Sequence, residues 1–185
     1  MQALIDAIAK GKIPNANIAA VLSSRSDAYA LHRASSNGIV TLVEKPDFTL
    51  KKPKRRIEHS NRILKYCREY SIDLIINAGF LSVLSGDIID EYKGRIINIH
   101  PALLPKYGGQ GMYGEHVHKA VLEAGERESG CTVHYVDAGI DSGSIILQRR
   151  VHVLESDTVA SLAERILPEE HIAIVEAVKL IISEE

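Results

Sequence analysis

The sequence predicts an α/β fold in which helices cover both faces of a mostly parallel β-sheet. Segments with apolar residues at helical spacing alternate along the chain with short apolar segments. Several of these short segments are apolar throughout, which is typical of strands buried on both faces of a parallel sheet. No repeat, low-complexity tract or linker interrupts the pattern, so we predict one domain over residues 1–185.

The helices are predicted from apolar residues that recur every three or four positions, as Leu4, Ile5 and Ile8 do near the start. The second helix ends at the Asn37-Gly38 stop signal, and Pro168 is expected to start or kink the last one. The predicted helices cover residues 1–9, 28–36, 56–70, 117–124 and 158–182.

The strands are predicted from short runs rich in β-branched and other apolar residues, such as NIAAVLS and DLIINA. Strands of this kind alternate with the helices from one end of the chain to the other. The predicted strands cover residues 17–23, 39–43, 73–78, 95–100, 132–136 and 145–151.

The composition excludes several classes of protein. Hydrophobic residues make up 45% and charged residues 25%, and a net charge of -2 gives no attraction to nucleic acid or to a membrane surface. The apolar runs are far shorter than the ~20 residues that span a bilayer, and Asp6 makes the N-terminus unlike a signal peptide. Cys67 and Cys131 are too few for a disulfide framework, so we expect buried thiols and a cytoplasmic protein.

Polar chemistry follows the fourth predicted strand, in the run IINIHPALLPKYGG. Asn98 and His100 are two positions apart, so their side chains point to the same face of the strand. Pro101 and Pro105 then favour an extended loop instead of a helix. Ligands of α/β sheets bind at the carboxyl ends of strands, which makes this pair a candidate site. A structural histidine beside a capping asparagine is the alternative.

A second group of polar residues lies in HYVDAGIDSGSIILQ. His134 is placed in a strand, and Asp137 and Asp141 are placed in the Gly/Ser-rich loop that follows it. An aspartate near an imidazole is expected to raise its pKa and keep it cationic near neutral pH. Such an imidazolium, with an Asn amide beside it, fits the polarisation of a carbonyl that an external nucleophile attacks.

Three other features have more ordinary interpretations. The basic run KKPKRR at residues 51–56 is able to attract an anionic ligand, but a solvated loop is the more frequent structure for such a run. The glycine-rich segment 108–118 is interpreted as a mobile loop over the site. The spacing of the histidines matches no standard zinc site, so we predict no metal.

The chain resembles the phosphoribosylglycinamide formyltransferase family, within a wider group of enzymes that use 10-formyltetrahydrofolate. The resemblance covers nearly the whole chain and is strongest in the N-x-H-P-x-L-L-P core with a later aspartate. It implies a Rossmann-like fold and formyl transfer from the folate co-substrate to the amine of glycinamide ribonucleotide. The motifs that carry it are QALIDAI, SSRSDAYAL, AGFLSVLS, NIHPALLPKY, GCTVHYVDAGIDSG and PEEH.

The resemblance also implies a role for each matching residue. Asn98 would bind the formyl oxygen, His100 would be the general acid, and Asp141 would raise the pKa of His100 and order a water. His134 would support them, and Glu170 would lie near the ribonucleotide, although a surface charge on a helix is the alternative for Glu170. The implied folate-binding residues are Asn98, Arg56 and the main chain of Leu81, Ser82, Val83 and Leu84.

The sequence departs from the family pattern at its N-terminus. The family begins with a strand and a Gly-Ser-Asn turn whose N–H groups bind the ribonucleotide phosphate. Here Met1 and Gln2 already match the helix that follows that turn. We hypothesise that Met1 is an internal methionine and that the coding sequence starts upstream. If the chain starts at Met1, we expect very weak ribonucleotide binding.

Three functions remain open from the sequence. The first is formyl transfer to glycinamide ribonucleotide, with small-molecule substrates and a monomer or homodimer as the assembly. The second is a formyltetrahydrofolate hydrolase or another formyltransferase of the same superfamily. The third is a folate-binding relic that is inactive because it has no phosphate loop.

Overall fold

Helices and strands alternate along the chain in the computed structural model, which describes residues 1–183. The chain divides into two compact units, one that ends at Ile96 and one that begins at Ile97, and each is described by itself. The single domain expected from the sequence stays a prediction. The helices are α1 Gln2–Ala9, α2 Tyr29–Ser35, α3 Lys54–Glu69, α4 Asp87–Glu91, α5 Glu115–Glu123 and α6 Val159–Ser183. The strands are β1 Ala20–Ser23, β2 Val40–Val43, β3 Ile75–Asn77, β4 Ile96–His100, β5 Glu128–Tyr135 and β6 Ile145–His152.

Each predicted helix and strand is present, although several ends differ by a few residues, and three differences are of note. Helix α4 was not predicted, because its five residues are too few for a periodic pattern. Strand β5 begins at Glu128, earlier than predicted, because its first two residues are polar and do not look like a buried strand. Pro168 lies inside α6, which begins at Val159.

The first unit contains a parallel pair of strands, in which β1 and β2 pair from Ala20 with Val40 to Ser23 with Val43. Helix α3 buries one apolar face, which includes Ile63 and Leu64. The imidazole of His59, also on α3, contacts the main-chain oxygen of Glu44 just after β2 at 2.9 Å. This contact between the buried His59 ring and Glu44 holds α3 near the end of β2.

The second unit contains an antiparallel sheet in which β5 lies between β4 and β6. The parallel pair of the first unit and the surrounding helices confirm the α/β prediction. The direction of β5 and β6 was not evident from the sequence, since a short apolar run does not by itself distinguish a parallel strand from an antiparallel one. Helix α6 packs on β5 and β6, where Arg149 of β6 donates to Glu169 and Glu176 of α6.

Both cysteines are buried as free thiols, as predicted. Burial raises the pKa of Cys67 to about 11 and that of Cys131 to about 12. Within residues 1–183, every helix is too short or too polar to cross a bilayer.

Candidate active site

The pairing of β4 with β5 places Asn98 directly opposite His134. The carboxamide nitrogen of Asn98 lies 3.1 Å from Nε2 of His134, and Nδ1 of His134 lies 2.8 Å from the main-chain oxygen of Tyr135. A carbonyl only accepts, so Nδ1 carries the hydrogen, and a ring with one N–H then has a lone pair on Nε2. That lone pair accepts from Asn98, which fixes the orientation of the amide.

His100 ends β4 and is almost completely buried, with 4% of its surface exposed. Its Nε2 donates to the main-chain oxygen of Tyr107 at 2.7 Å, so Nε2 carries a hydrogen. Its Nδ1 lies 3.7 Å from Oδ2 of Asp141. The ring is therefore held from one side by a carbonyl and faces a carboxylate on the other.

Asp141 lies between the two imidazoles. Its Oδ1 is 3.6 Å from Nε2 of His134, and its Oδ2 accepts from the main-chain N–H of Gly109 at 2.9 Å. Its backbone is left-handed, with φ of 55°, a conformation that aspartate tolerates better than most residues. The structure thus brings together four of the residues that the sequence pointed to, Asn98, His100, His134 and Asp141.

Asp137, the other acidic residue of this loop, has a structural role. Its Oδ1 accepts from the main-chain N–H of Gly139 at 2.9 Å and from the hydroxyl of Ser142 at 2.7 Å. These bonds lower the pKa of Asp137, with the Ser142 hydroxyl as the largest cause. Asp137 closes the turn that carries Asp141.

The electrostatic balance at His100 differs from the expectation that Asp141 keeps the ring cationic. Burial lowers the pKa of His100 below its ordinary value, and His134 lowers it further. The Tyr107 carbonyl and Asp141 raise it, but by less than burial lowers it. The resting ring is therefore biased toward its neutral form, because removal from water penalises the charge more than one carboxylate at 3.7 Å stabilises it.

The loop after β4 has its shape because β5 and β6 satisfy its main chain. The hydroxyl of Thr132 donates to the oxygen of Ala102 at 2.6 Å and accepts from the N–H of Leu104 at 3.0 Å. The amide of Gln148 donates to the oxygen of Leu104 at 2.9 Å. Because these side chains bind main-chain groups that would otherwise pair within a helix, the segment after β4 stays a loop as far as Tyr107.

Sequence reasoning missed three contributors to the site. Tyr107 and Gly109 act through main-chain groups, which leave no side-chain signal, although a tyrosine followed by two glycines marks an unusual backbone. His118 of α5 is 5% exposed, and its Nδ1 has no hydrogen-bond partner among residues 1–183. Burial lowers the pKa of His118, and the charge of nearby His100 lowers it further.

Apart from Asn98, the residues expected to bind folate lie in the first unit. Leu81, Ser82, Val83 and Leu84 form a loop after β3, in which Leu81 is exposed and Leu84 is buried. Among residues 1–183, nothing pairs with the main-chain N–H and C=O groups of this loop. Arg56 lies in the first turn of α3, half-buried and without an ion pair in the described part of the chain.

Glu170, the residue expected near the ribonucleotide, lies on α6 in the second unit. It is half-buried, and burial raises its pKa to about 7. A fully solvated surface carboxylate would have no such shift, so the environment of Glu170 differs from that of an ordinary helix surface charge.

The histidines and carboxylates do not form a metal centre within residues 1–183, where no group of three or more potential ligands is close enough to hold an ion. The polar chemistry of this site lies instead in hydrogen-bond donors and one carboxylate.

Comparisons with known proteins identify the family. The model of the formyl transferase family matches residues 1–178. The chain is 41% identical over 187 residues to the trifunctional purine biosynthetic protein adenosine-3 of Drosophila melanogaster, covering 99% of this chain and 13% of that protein. It is 39% identical to the chloroplastic phosphoribosylglycinamide formyltransferase of Arabidopsis thaliana, over 92% of this chain and 57% of that protein. It therefore spans less than two thirds of either relative.

A solved structure gives the same result. The crystal structure of glycinamide ribonucleotide transformylase 1 from Symbiobacterium toebii superposes with a TM-score of 0.87 at 39% identity, covering 97% of this chain and 80% of that one. The match therefore extends over both units and includes the strand, loop and turn that carry Asn98, His100 and Asp141. The chain belongs to the formyl transferase family.

Proposed function

We propose that this chain transfers the formyl group of 10-formyltetrahydrofolate to the amine of glycinamide ribonucleotide, a step of purine biosynthesis. The observation that carries the proposal is the convergence of Asn98, His100 and Asp141 at the end of β4. The names of the relatives from Drosophila and Arabidopsis support the same reaction.

The proposed chemistry is direct attack of the amine on the formyl carbon, after which the bond from that carbon to N10 of the folate breaks. The amine releases one proton through the ordered water, and N10 takes one up as tetrahydrofolate leaves. The charge that develops on the formyl oxygen is stabilised by the second N–H of the Asn98 carboxamide, since the first is directed at His134. His100 in its imidazolium form supplies a proton from Nδ1 to the formyl oxygen. Nδ1 is the donor because the Nε2–H is already donated to the main-chain oxygen of Tyr107. Asp141 stabilises that imidazolium and orders a water for proton relay.

We assign the remaining contacts as follows. The main chain of Leu81–Leu84, which has no hydrogen-bond partner among the described residues, binds the pterin of the folate, and the guanidinium of Arg56 binds its anionic tail. Glu170 contacts the ribonucleotide. The raised pKa of Glu170, at about 7, allows it to act as a hydrogen-bond donor or acceptor near neutral pH. The two buried free thiols support a reducing compartment such as the cytoplasm.

The test is a two-substrate assay that follows 10-formyltetrahydrofolate with and without glycinamide ribonucleotide. Formylated ribonucleotide is the expected product, and formate released without the amine would instead indicate a hydrolase. His100→Ala and Asp141→Ala are each expected to lower kcat by roughly 10²–10⁴-fold, the range of a lost proton-transfer group.

The matched control is His32→Ala, which removes an exposed imidazole on α2 far along the chain from the site. Its kcat is expected to equal that of the parent. Thermal unfolding of all three variants separates lost chemistry from lost folding. Turnover that survives either His100→Ala or Asp141→Ala in a folded protein removes that residue from the mechanism.

A further inference from the structure

Two consecutive side chains converge on one carboxylate oxygen in the second unit. Lys106 donates from Nζ to Oε1 of Glu126 at 2.7 Å, and Tyr107 donates from its hydroxyl to the same oxygen at 2.9 Å. Glu126 lies in the turn between α5 and β5, where its own N–H donates to the oxygen of Val121. Lys106 and Tyr107 are the two main causes that lower the pKa of Glu126, so the carboxylate is charged at neutral pH and both bonds are charge-assisted.

The backbone of Tyr107 needs such support. Its φ of 56° is left-handed, which is uncommon for a bulky residue and persists only where the surroundings hold it. Gly108 follows directly and Pro105 lies two positions before, so the local chain supplies little side-chain packing of its own. The bonds to Glu126 fix the far end of the Tyr107 side chain against the turn.

The conformation of Tyr107 determines the partner of His100. The main-chain oxygen of Tyr107 accepts from Nε2 of His100 at 2.7 Å, so it sets which nitrogen carries the hydrogen and leaves Nδ1 toward Asp141. If the Tyr107 backbone relaxed, that carbonyl would turn away. A buried ring would then lose its acceptor and either rotate or change tautomer.

We propose that Glu126 is a positioning residue for His100: it holds Tyr107 in the left-handed conformation that presents the Tyr107 carbonyl to Nε2 of His100. In this proposal Glu126 acts on His100 through its bond to Tyr107. The effect on turnover rests on the proposed function, whereas the effect on the ring of His100 does not.

The kinetic test compares Glu126→Ala with Tyr107→Phe, which removes only the hydroxyl. Each variant is expected to lower kcat roughly tenfold to a hundredfold, the cost of a slightly misplaced catalytic group, with both KM values within about twofold of the parent. The double variant is expected to be no worse than either single one, since both remove the same connection. Glu126→Gln keeps an acceptor oxygen for the Tyr107 hydroxyl, so its kcat is expected to lie between that of the parent and that of Glu126→Ala.

The matched control is Glu123→Ala on α5. Glu123 pairs with Lys119 at 3.7 Å on an exposed helix surface and has no connection to Tyr107. Its kcat and KM are expected to equal those of the parent. Kinetics of Glu126→Ala equal to those of Glu123→Ala would overturn the proposal.

Chemical rescue adds a readout that a general loss of packing does not give. Glu126 and Tyr107 line a cavity of about 310 Å³, which has room for a small carboxylate beside a truncated side chain. Acetate is therefore expected to restore part of the kcat of Glu126→Ala by accepting from the Tyr107 hydroxyl. No rescue is expected in the double variant with Tyr107→Phe, and equal stimulation of both would count against the proposal.

The imidazole nitrogens of His100 give a test that needs no turnover. In ¹⁵N-histidine-labelled protein, the Nε2 and Nδ1 signals of His100, assigned from a His100→Gln spectrum, are expected to report an Nε2–H ring in the parent. They are expected to shift toward mixed tautomers in Glu126→Ala. An inactive parent with this shift would refute the proposed function alone, whereas unchanged signals in a folded Glu126→Ala protein would refute the positioning role.

Discussion

Gly108 leaves little space for a side chain next to the site. A Cβ at this position would lie 2.5 Å from Cδ2 of Leu104 and 3.2 Å from Cβ of Asp141. Leu104 is 5% exposed, so its side chain has little room to move away. The added methyl group would therefore push on Asp141, whose carboxylate faces both imidazoles.

We expect Gly108→Ala to impair chemistry more than folding. Overpacking of this kind costs about 1–3 kcal/mol of stability, and displacement of Asp141 is expected to lower kcat roughly tenfold or more. Steady-state kinetics and thermal unfolding of the same preparation measure both effects. A variant with the kcat of the parent would mean that Asp141 does not depend on the close approach of this backbone.

The residues of the site were predictable to different degrees. Asn98 and His100 were evident because strand geometry places alternate side chains on one face, while β5 supplied His134 and the loop after it supplied Asp141. The Tyr107 carbonyl and the Gly109 N–H were not evident, because every residue has these groups and only the folded backbone directs them. The net lowering of the pKa of His100 was also missed, since burial is not visible in a motif.

At the level of elements, α6 begins with a reciprocal pair of hydrogen bonds. The N–H of Ser161 donates to the hydroxyl oxygen of Thr158 at 3.1 Å, and the N–H of Thr158 donates to the hydroxyl oxygen of Ser161 at 3.0 Å. This arrangement resembles a capping box and satisfies an N–H of the first turn that has no partner within the helix. It fixes the start of the helix that packs on β5 and β6.

Thr158→Ala is expected to cost about 1 kcal/mol, the usual loss for a helix cap, and to lower Tm by about 2–4 °C in a chain of this size. The control is Ser156→Ala, which changes an exposed hydroxyl two residues earlier. Thermal unfolding of both variants provides the comparison, and activity below the melting range should stay that of the parent. Equal Tm values for the two variants would exclude a capping role for Thr158.

The elements themselves were predicted more reliably than their ends. Long periodic segments such as α3 and α6 carry many apolar positions, so a few polar residues do not hide them. Helix α4 is too short to show a period, and the start of β5 is polar. Sequence patterns detect apolar periodicity, which α4 is too short to show and which the polar residues Glu128 and Ser129 hide at the start of β5, although Ser129 is buried.

At the scale of the whole molecule, Glu170 makes stability depend on pH. Its pKa is about 7 in the folded chain and has an ordinary value of 4.5, so folding takes up a proton between these values. Stability therefore falls as pH rises from about 4.5 to about 7, and the penalty is complete above that window. At pH 4 the carboxyl is mostly neutral in both states and contributes little of this dependence.

Glu170→Gln is expected to raise Tm relative to the parent at pH 8, because the amide is never charged and avoids the cost of a buried carboxylate. Tm is expected to rise by about 2–4 °C for each kcal/mol of destabilisation that the substitution removes. At pH 4 the two proteins should melt together. A difference in Tm that is the same at both pH values would show that the carboxyl does not titrate in this window.

The buried thiols have a practical consequence. At pH 7.5, a thiol with a pKa of about 11 is thiolate in fewer than about one molecule in a thousand, so maleimide and iodoacetamide react with it very slowly. Both native cysteines are thus protected against alkylation while the chain stays folded. A single new cysteine on an exposed surface is then able to carry a fluorophore or spin label by itself, and the parent protein serves as its own unlabelled blank.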